Sequence, residues 1–246
     1  MRLFVLTTSY MLLSSSMLSA QAEPPNKLTI VFEHMVNKDL LSLGESYTND
    51  FGEQFTPKNF KYYISDIGFI DNSGRPLKIS GNCFLIDEAE PDSKKIELTL
   101  PPGNYTTLRF MIGVDSLRTV SGVHEGALDP YFGMFWTWNT GFVSAKLEGF
   151  SPVSNMPHQM FQYHIGGFRT GQNTLRIVEI PLTDTLSMNR GTNTTIIIQA
   201  DILKWFTGKH NLKIAPQPFV HSPGKTAVQY ADNYASMFKL KNCKQY

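Results

Sequence analysis

Apolar and polar residues alternate along much of the chain with a period of two, which is the pattern of a half-buried β-strand. Residues 28–34 give the clearest example, because Leu28, Ile30 and Phe32 fall on one face and His34 continues that face. Alternation, or enrichment in β-branched and aromatic residues, predicts further strands over residues 60–70, 84–87, 95–100, 105–114, 160–164, 174–181 and 194–203. Short strands separated by turn residues are typical of an antiparallel β-sandwich or barrel.

One segment near the C-terminus has helical periodicity instead. Residues 222–226 supply helix start signals, and the following apolar side chains recur at helical spacing. These apolar positions are Ala227, Tyr230, Ala231, Tyr234 and Phe238. Residues 116–129 show neither period and are expected to form a loop. Because the sequence contains no internal repeat or low-complexity linker, residues 23–246 are predicted to form a single domain.

The first 22 residues have the features of a secretory signal peptide. A basic start at Arg2 precedes a short apolar stretch, and Ala20 and Ala22 form an A-x-A cleavage site. No second apolar run approaches membrane-spanning length, so we expect a mature chain in the periplasm or secreted from the cell. The formal net charge of +1 offers no basic surface for nucleic acid.

The two cysteines, Cys83 and Cys243, would experience an oxidising compartment after export. A disulfide between them, tying the C-terminal segment to an early strand, is the simplest interpretation. The alternative is that they are free thiolates that bind metal, but no CxxC spacing supports it.

Two of the three tryptophans, Trp136 and Trp138, lie one residue apart in an aromatic run that ends in glycine turns. In an extended strand both indoles would point to the same face. They are therefore either part of an aromatic core or, if exposed, a stacking platform for carbohydrate.

Catalytic motifs are not found: the sequence has no G-x-S-x-G elbow, no H-E-x-x-H, no phosphate-binding loop and no dinucleotide fingerprint. Three histidines lie in contexts that suit a metal ligand. His34 ends a strand on its apolar face, His164 precedes two glycines, and His221 lies just before the predicted helix. Imidazoles drawn from distant parts of a β scaffold are suitable ligands for copper, although spacing alone does not establish such a site.

Several segments closely resemble the MbnP-like copper-binding family, which is named for a protein associated with the copper chelator methanobactin. The segment Gly-Met-Phe-Trp-Thr-Trp-Asn at residues 133–139 is the most specific. Further similar segments lie at residues 32–34, 61–65, 113–118, 128–130, 141–142, 146–149, 161–167 and 231–238, so that the resemblance covers nearly the whole mature chain.

The resemblance implies an all-β, immunoglobulin-like antiparallel β-sandwich with one short C-terminal helix. It also implies that the protein binds copper as Cu(I) or Cu(II). It makes His34, His164 and His221 the candidate ligands. In characterised relatives a tryptophan beside the metal is oxidised to kynurenine by a di-haem enzyme of the cytochrome c peroxidase type. Trp136 and Trp138 are accordingly the candidates for modification. We expect a role in copper acquisition, storage or transport, and not an enzyme.

Two alternatives follow from the residues themselves. The chain is either a carbohydrate- or protein-binding envelope module without metal, or a structural β domain in which the histidines have no ligand. One departure from the family bears on the site, because many relatives carry histidines near the C-terminus where this chain has residues 239–246 without any. The site here would then lack those ligands or use Cys243, which would conflict with the disulfide.

Overall fold

A computed structural model describes residues 25–120, 125–137 and 140–246. The predicted signal peptide and Trp138 lie outside the described residues. The strands are β1 Lys27–Val36, β2 Asp39–Leu40, β3 Tyr47–Thr48, β4 Gln54–Asp71, β5 Pro76–Lys78, β6 Phe84–Asp87, β7 Lys95–Thr99, β8 Gly103–Ile112, β9 Phe135–Thr137, β10 Gly141–Phe150, β11 Met160–Gly166, β12 Arg176–Met188, β13 Asn193–Asp201, β14 Phe219–Val220 and β15 Phe238–Gln245, and the α-helices are α1 Ser116–Val120 and α2 Lys225–Tyr234.

The strands form two sheets. In the smaller sheet the order is β15-β13-β1-β2, with β7 also paired to β1. In the larger sheet the order is β12-β8-β4-β10-β11-β14, and the short strands β3, β5, β6 and β9 add to β4 or β10. The long strand β4 is the centre of this sheet, because β8 and β10 both pair with it.

The main hydrophobic core fills the space between the two sheets. Phe32 of the smaller sheet makes edge-to-face ring contacts with Tyr62 and Phe110 of the larger one, at centroid distances of 6.2 and 6.0 Å. Because successive side chains of a strand point to opposite faces, Tyr62 and Tyr163 point into this core while their neighbours in sequence point out of the larger sheet.

A second, smaller apolar cluster lies on the outer face of the larger sheet. Its buried members are Tyr63, Val114, Met134, Phe142 and Val143, and Trp136 packs against them. The aromatic segment around Trp136 therefore covers the outside of the sheet and does not enter the main core.

The all-β sandwich predicted from the alternation is confirmed, including the burial of His34 on the inner face of β1. Three details differ. The β1–β13 and β11–β14 pairs are parallel, so the sandwich is not purely antiparallel. A short helix, α1, lies within the predicted loop at residues 116–129. The predicted C-terminal helix, α2, ends at Tyr234, and the strand β15 follows it. The strand β15 was not predicted, because it lies at the edge of its sheet and its lysines interrupt the apolar alternation.

The predicted disulfide between Cys83 and Cys243 is not formed in the structure, where both cysteines are free. Cys83 packs with the outer cluster of the larger sheet, whereas Cys243 lies on β15 of the smaller sheet and packs against the main core. Packed sheets are separated by about 10 Å, which exceeds the Cα separation of about 7 Å that a disulfide tolerates. No helix in the described part of the chain is long and apolar enough to cross a membrane.

Free thiols lead to a direct prediction. Burial raises the pKa of the Cys83 thiol to about 11 and also raises that of Cys243, so few thiolates form at neutral pH. A chromogenic thiol reagent should therefore react slowly with the folded protein. After denaturation without added reductant, it should react with both cysteines. If the denatured protein shows no thiol until a reductant is added, the two cysteines are bonded after all.

Candidate metal centre

His164 and His221 come together because β14 pairs in parallel with β11. Gln162 is opposite Phe219 and Tyr163 is opposite Val220. The next pair in this register is His164 and His221, and their ring centroids lie 3.8 Å apart on the outer face of the larger sheet. The imidazole of His164 is buried, whereas His221, at the end of β14, is exposed.

The carboxylate of Glu148 fixes the orientation of His164. Glu148 lies on β10, the antiparallel neighbour of β11, and its Oε1 is 2.6 Å from His164 Nε2. Its other oxygen accepts a hydrogen bond from Asn59 at 2.8 Å. Burial alone would raise the pKa of Glu148, but the hydrogen bonds from His164 and Asn59 and the positive charge of Lys146 outweigh burial and lower the pKa to about 2. An ionised Glu148 accepts a hydrogen bond from Nε2–H, which leaves the lone pair of a neutral His164 on Nδ1.

Trp136 lies beside the two imidazoles. Its ring centroid is 6.1 Å from that of His221, and its six-membered ring lies over the backbone of Gly166. The indole is partly buried, and its Nε1 has no hydrogen-bond partner among the described residues. A buried N–H without a partner is uncommon and calls for an explanation.

Lys146 anchors the segment that carries Trp136. Lys146 is the β10 partner of His164, and its Nζ donates a 2.6 Å hydrogen bond to the carbonyl of Gly133. Burial lowers the pKa of Lys146, the neighbouring Glu148 opposes this effect, and Lys61 adds to it. We refer to His164, His221, Glu148, Lys146 and Trp136 together as the histidine cluster.

His221 is held in its neutral form by the same surroundings. Although the ring is partly exposed, loss of water from the side that faces the sheet lowers its pKa first. The positive charge of Lys146, and of His164 whenever that ring is protonated, lowers the pKa further against the opposing effect of Glu148. A neutral imidazole keeps a lone pair that can bind a metal.

The structure does not bring His34 to the histidine cluster. His34 points into the core between the sheets, on the opposite side of the larger sheet. Both of its ring nitrogens are engaged, Nδ1 with Glu88 Oε2 at 2.6 Å and Nε2 with the hydroxyl of Tyr62 at 2.8 Å. Of the three predicted ligands, two are therefore adjacent and one is separate.

Sequence reasoning missed Glu148 and Lys146. Both side chains point to the outer face of β10, with an apolar residue between them. This polar–apolar–polar pattern indicates from sequence that the two charged groups share one face. Their relation to His164 depends on strand register, however, and a sequence does not show which strands pair. Cys243 lies on the other sheet and cannot supply a ligand here.

The donor set of the cluster is small. Among the described residues there is no group of three or more histidine, cysteine, aspartate or glutamate side chains that could hold a metal. The two adjacent imidazoles nevertheless fit copper, which accepts nitrogen ligands. The indole Nε1 of Trp136 beside them has no hydrogen-bond partner among the described residues and is therefore available to a bound group.

The fold and this cluster define a β-sandwich protein with paired histidines on the outer face of one sheet. The MbnP family model matches residues 25–223, which is more than half of the chain, and the chain belongs to the MbnP family. The solved structure of MbnP from Methylosinus trichosporium is similar with a TM-score of 0.57 at 14% identity, over 89% of this chain and 98% of that one. At that identity the similarity establishes a common fold. A search of curated proteins gave no match.

The contact between Trp136 and Gly166 gives a testable prediction. A Cβ at residue 166 would meet the carbonyl oxygen of Phe142 at 2.4 Å and the Trp136 ring at 2.8 Å. Gly166→Ala should therefore displace the indole and lower the free energy of unfolding by about 1–3 kcal/mol. Thermal unfolding and tryptophan fluorescence would measure both effects.

Gly81→Ala is the matched control, because its Cβ would meet only flexible side-chain atoms at 3.4 Å or more. It should change the free energy of unfolding by no more than about 0.5 kcal/mol. Equal stability of the two variants would contradict the packing described for Trp136.

Proposed function

We propose that this protein binds copper at His164 and His221, and that it acts in copper acquisition, storage or transport. The observation that carries this proposal is the adjacency of the two imidazoles, at a centroid distance of 3.8 Å, on one sheet face. Membership of the MbnP family agrees with it. We further propose that the protein is not an enzyme and works in the periplasm or outside the cell, as the signal peptide predicted from the sequence suggests.

The chemistry of the two imidazoles suits this role. Glu148 accepts a hydrogen bond from the Nε2–H of His164, so Nδ1 is the atom that would face a metal. His221 is neutral because its pKa is lowered. Neutral nitrogen ligands bind copper in either oxidation state. The carboxylate of Glu148 would strengthen His164 as a ligand by accepting its other N–H, as outer-shell carboxylates commonly do in metal sites.

Trp136 is our candidate for oxidation to kynurenine. It is beside His221, partly buried and lacks a partner for its indole nitrogen. Two equivalents of peroxide would cleave the C2–C3 bond of the indole, leaving a carbonyl oxygen on C3 and C2 as an N-formyl group, with two molecules of water released. Hydrolysis of the C2–N1 bond would then release C2 as formate and leave the aromatic amine. The oxidant would be peroxide, used by a partner di-haem enzyme of the cytochrome c peroxidase type. The product would carry an aromatic amine and a carbonyl, both of which can bind copper. Trp138 stays an alternative candidate.

The rival hypothesis of a carbohydrate-stacking platform has less support. A platform needs an exposed indole face, whereas the ring of Trp136 lies over Gly166 and against the outer apolar cluster. No observation favours that function over copper binding.

Copper titration of single variants tests the ligands. With a chromophoric Cu(I) chelator as competitor under anaerobic conditions, the wild type should hold one equivalent. His164→Ala and His221→Ala should each weaken binding by more than about a hundredfold, and Glu148→Gln by about 10–100-fold. His34→Gln is the control, because His34 lies on the other side of the sheet. Unchanged affinity in both histidine-to-alanine variants would exclude this site.

The pH dependence of the titration has a defined sign. Copper competes with protons for the imidazoles, so affinity should hold above the ordinary histidine pKa of about 6.5 and fall below it. The lowered pKa of His221 moves that loss toward lower pH. Glu148 stays ionised throughout, since its pKa is about 2. Affinity that rises on acidification would contradict imidazole ligation.

Intact-mass analysis tests the modification. Protein isolated from its native host should show the mass change for loss of one carbon and gain of one oxygen, together with near-ultraviolet absorbance of an aromatic ketone. Trp136→Phe should abolish both, whereas replacement of the buried Trp205 should not. If Trp136→Phe retains them, the modified residue is another tryptophan.

A further inference from the structure

Tyr62, His34 and Glu88 form a linear hydrogen-bonded relay inside the sandwich. The Tyr62 hydroxyl is 2.8 Å from His34 Nε2, and His34 Nδ1 is 2.6 Å from Glu88 Oε2. Tyr62 is fully buried and the His34 side chain has no exposed surface. Glu88 lies at the rim and also accepts a 2.9 Å hydrogen bond from Lys94. We call the first three residues the tyrosine relay, and the copper proposal gives them no role.

The protonation state of each member follows from its surroundings. Burial lowers the pKa of His34, against the opposing effects of Glu88, and keeps the imidazole neutral. Burial would raise the pKa of Glu88, but hydrogen bonds from His34 and Lys94 lower it, so the carboxylate is ionised. Burial raises the pKa of Tyr62 well above its usual value, so the phenol keeps its proton. The Nδ1–H of His34 therefore donates a hydrogen bond to Glu88, and Nε2 accepts a hydrogen bond from the Tyr62 hydroxyl.

We propose that Tyr62 is a redox-active tyrosine, a site at which the protein stores one oxidising equivalent. A strong one-electron oxidant removes an electron from the phenol, the O–H bond breaks, and the proton forms an N–H bond at His34 Nε2. The products are a neutral tyrosyl radical, an imidazolium held by the Glu88 carboxylate, and the oxidant reduced by one electron. Return of an electron to the ring sends the proton back to the oxygen.

A general base at the phenol distinguishes Tyr62 from the other buried redox-active rings. The hydroxyls of Tyr163 and Tyr230 face each other without a well-formed hydrogen bond, so each has only another phenol beside it, and the Nε1 of Trp205 has no hydrogen-bond partner among the described residues. The hydroxyls of the other buried tyrosines, Tyr63, Tyr105 and Tyr234, each donate to a backbone carbonyl, which cannot hold the proton of an oxidised phenol. Oxidation of these rings produces an acidic cation with nowhere to send its proton. An oxidising equivalent that enters the core therefore settles on Tyr62.

A chain of aromatic contacts connects the relay to the strand of the histidine cluster. Tyr62 and Phe60 have a centroid distance of 5.4 Å, and Phe60 contacts Trp205 at 6.1 Å. Trp205 contacts Tyr230 at 6.2 Å, and Tyr230 contacts Tyr163 at 4.6 Å. The residue after Tyr163 on β11 points to the outer face and belongs to the histidine cluster. An oxidising equivalent generated on that face has a route to Tyr62. The redox chemistry of the relay itself does not depend on copper.

The test is photo-oxidation of the mature, copper-free protein with a ruthenium tris-bipyridine sensitiser and persulfate, followed by freeze-quench electron paramagnetic resonance. The wild type should give a neutral tyrosyl radical as its dominant long-lived signal. Tyr62→Phe should remove that signal, while Tyr234→Phe, an equally buried tyrosine without a base, should leave it unchanged. His34→Gln should slow radical formation by about a hundredfold, the usual contribution of a positioned general base.

The remaining outcomes decide against the proposal. An undiminished signal in Tyr62→Phe, or its loss in Tyr234→Phe, places the radical elsewhere. An unchanged rate in His34→Gln shows that the base has no part. If the core variants fail to fold, Glu88→Gln at the rim serves instead. It should shorten the radical lifetime because the imidazolium loses its counter-charge, and an unchanged lifetime would overturn the relay. Copper binding is measured separately, so either proposal can fail alone.

Discussion

The alternation of side chains on β4, β10 and β11 is the constraint on which the rest of the structure depends. Each strand of the larger sheet sends every second residue into a dry core and the others to an outer face. Tyr62 and Tyr163 point inward as a result, while Lys146, Glu148 and His164 point outward. A shift of one residue in any of these strands would exchange the two sets and bury charged groups without partners. One sheet thus separates two distinct chemical environments across its thickness.

The two buried histidines illustrate how similar partners produce different chemistry. Each imidazole has a carboxylate 2.6 Å from one ring nitrogen. At His34 the second nitrogen, Nε2, is hydrogen-bonded to the Tyr62 phenol, so no lone pair is available for a metal and the ring is suited only to proton transfer. At His164 the carboxylate engages Nε2, and a second imidazole, that of His221, lies beside the ring at a centroid distance of 3.8 Å. The first arrangement suits proton transfer and the second suits a metal ligand, because a lone pair must be free to bind a metal.

Trp136 and the core aromatic residues give the molecule an unusual concentration of oxidisable rings around the larger sheet. The outer indole lies beside the histidine cluster, and the inner chain from Tyr163 to Tyr62 lies behind it. The proposed oxidation of Trp136 would generate oxidising equivalents at this surface, and the protein would then need control over where they go. The base beside Tyr62 accepts the phenol proton and so stabilises the oxidised tyrosine. The other buried rings have no base beside them, so their oxidised forms are not stabilised.

Residue order alone determined most of the strands, the burial of His34, and the helix that begins near residue 225, because each depends on local periodicity. It also carried the family assignment, through the segment around Trp136. Tertiary structure decided which side chains meet. The pairing of His164 with His221 depends on the register of β11 and β14, and the partners of the two histidines, Glu148 and Glu88, come from other strands or loops. The two cysteines do not form a disulfide for the same reason, since the strand order places them on different sheets. Local patterns fix the direction in which a side chain points, but only the packing of distant strands fixes what it meets.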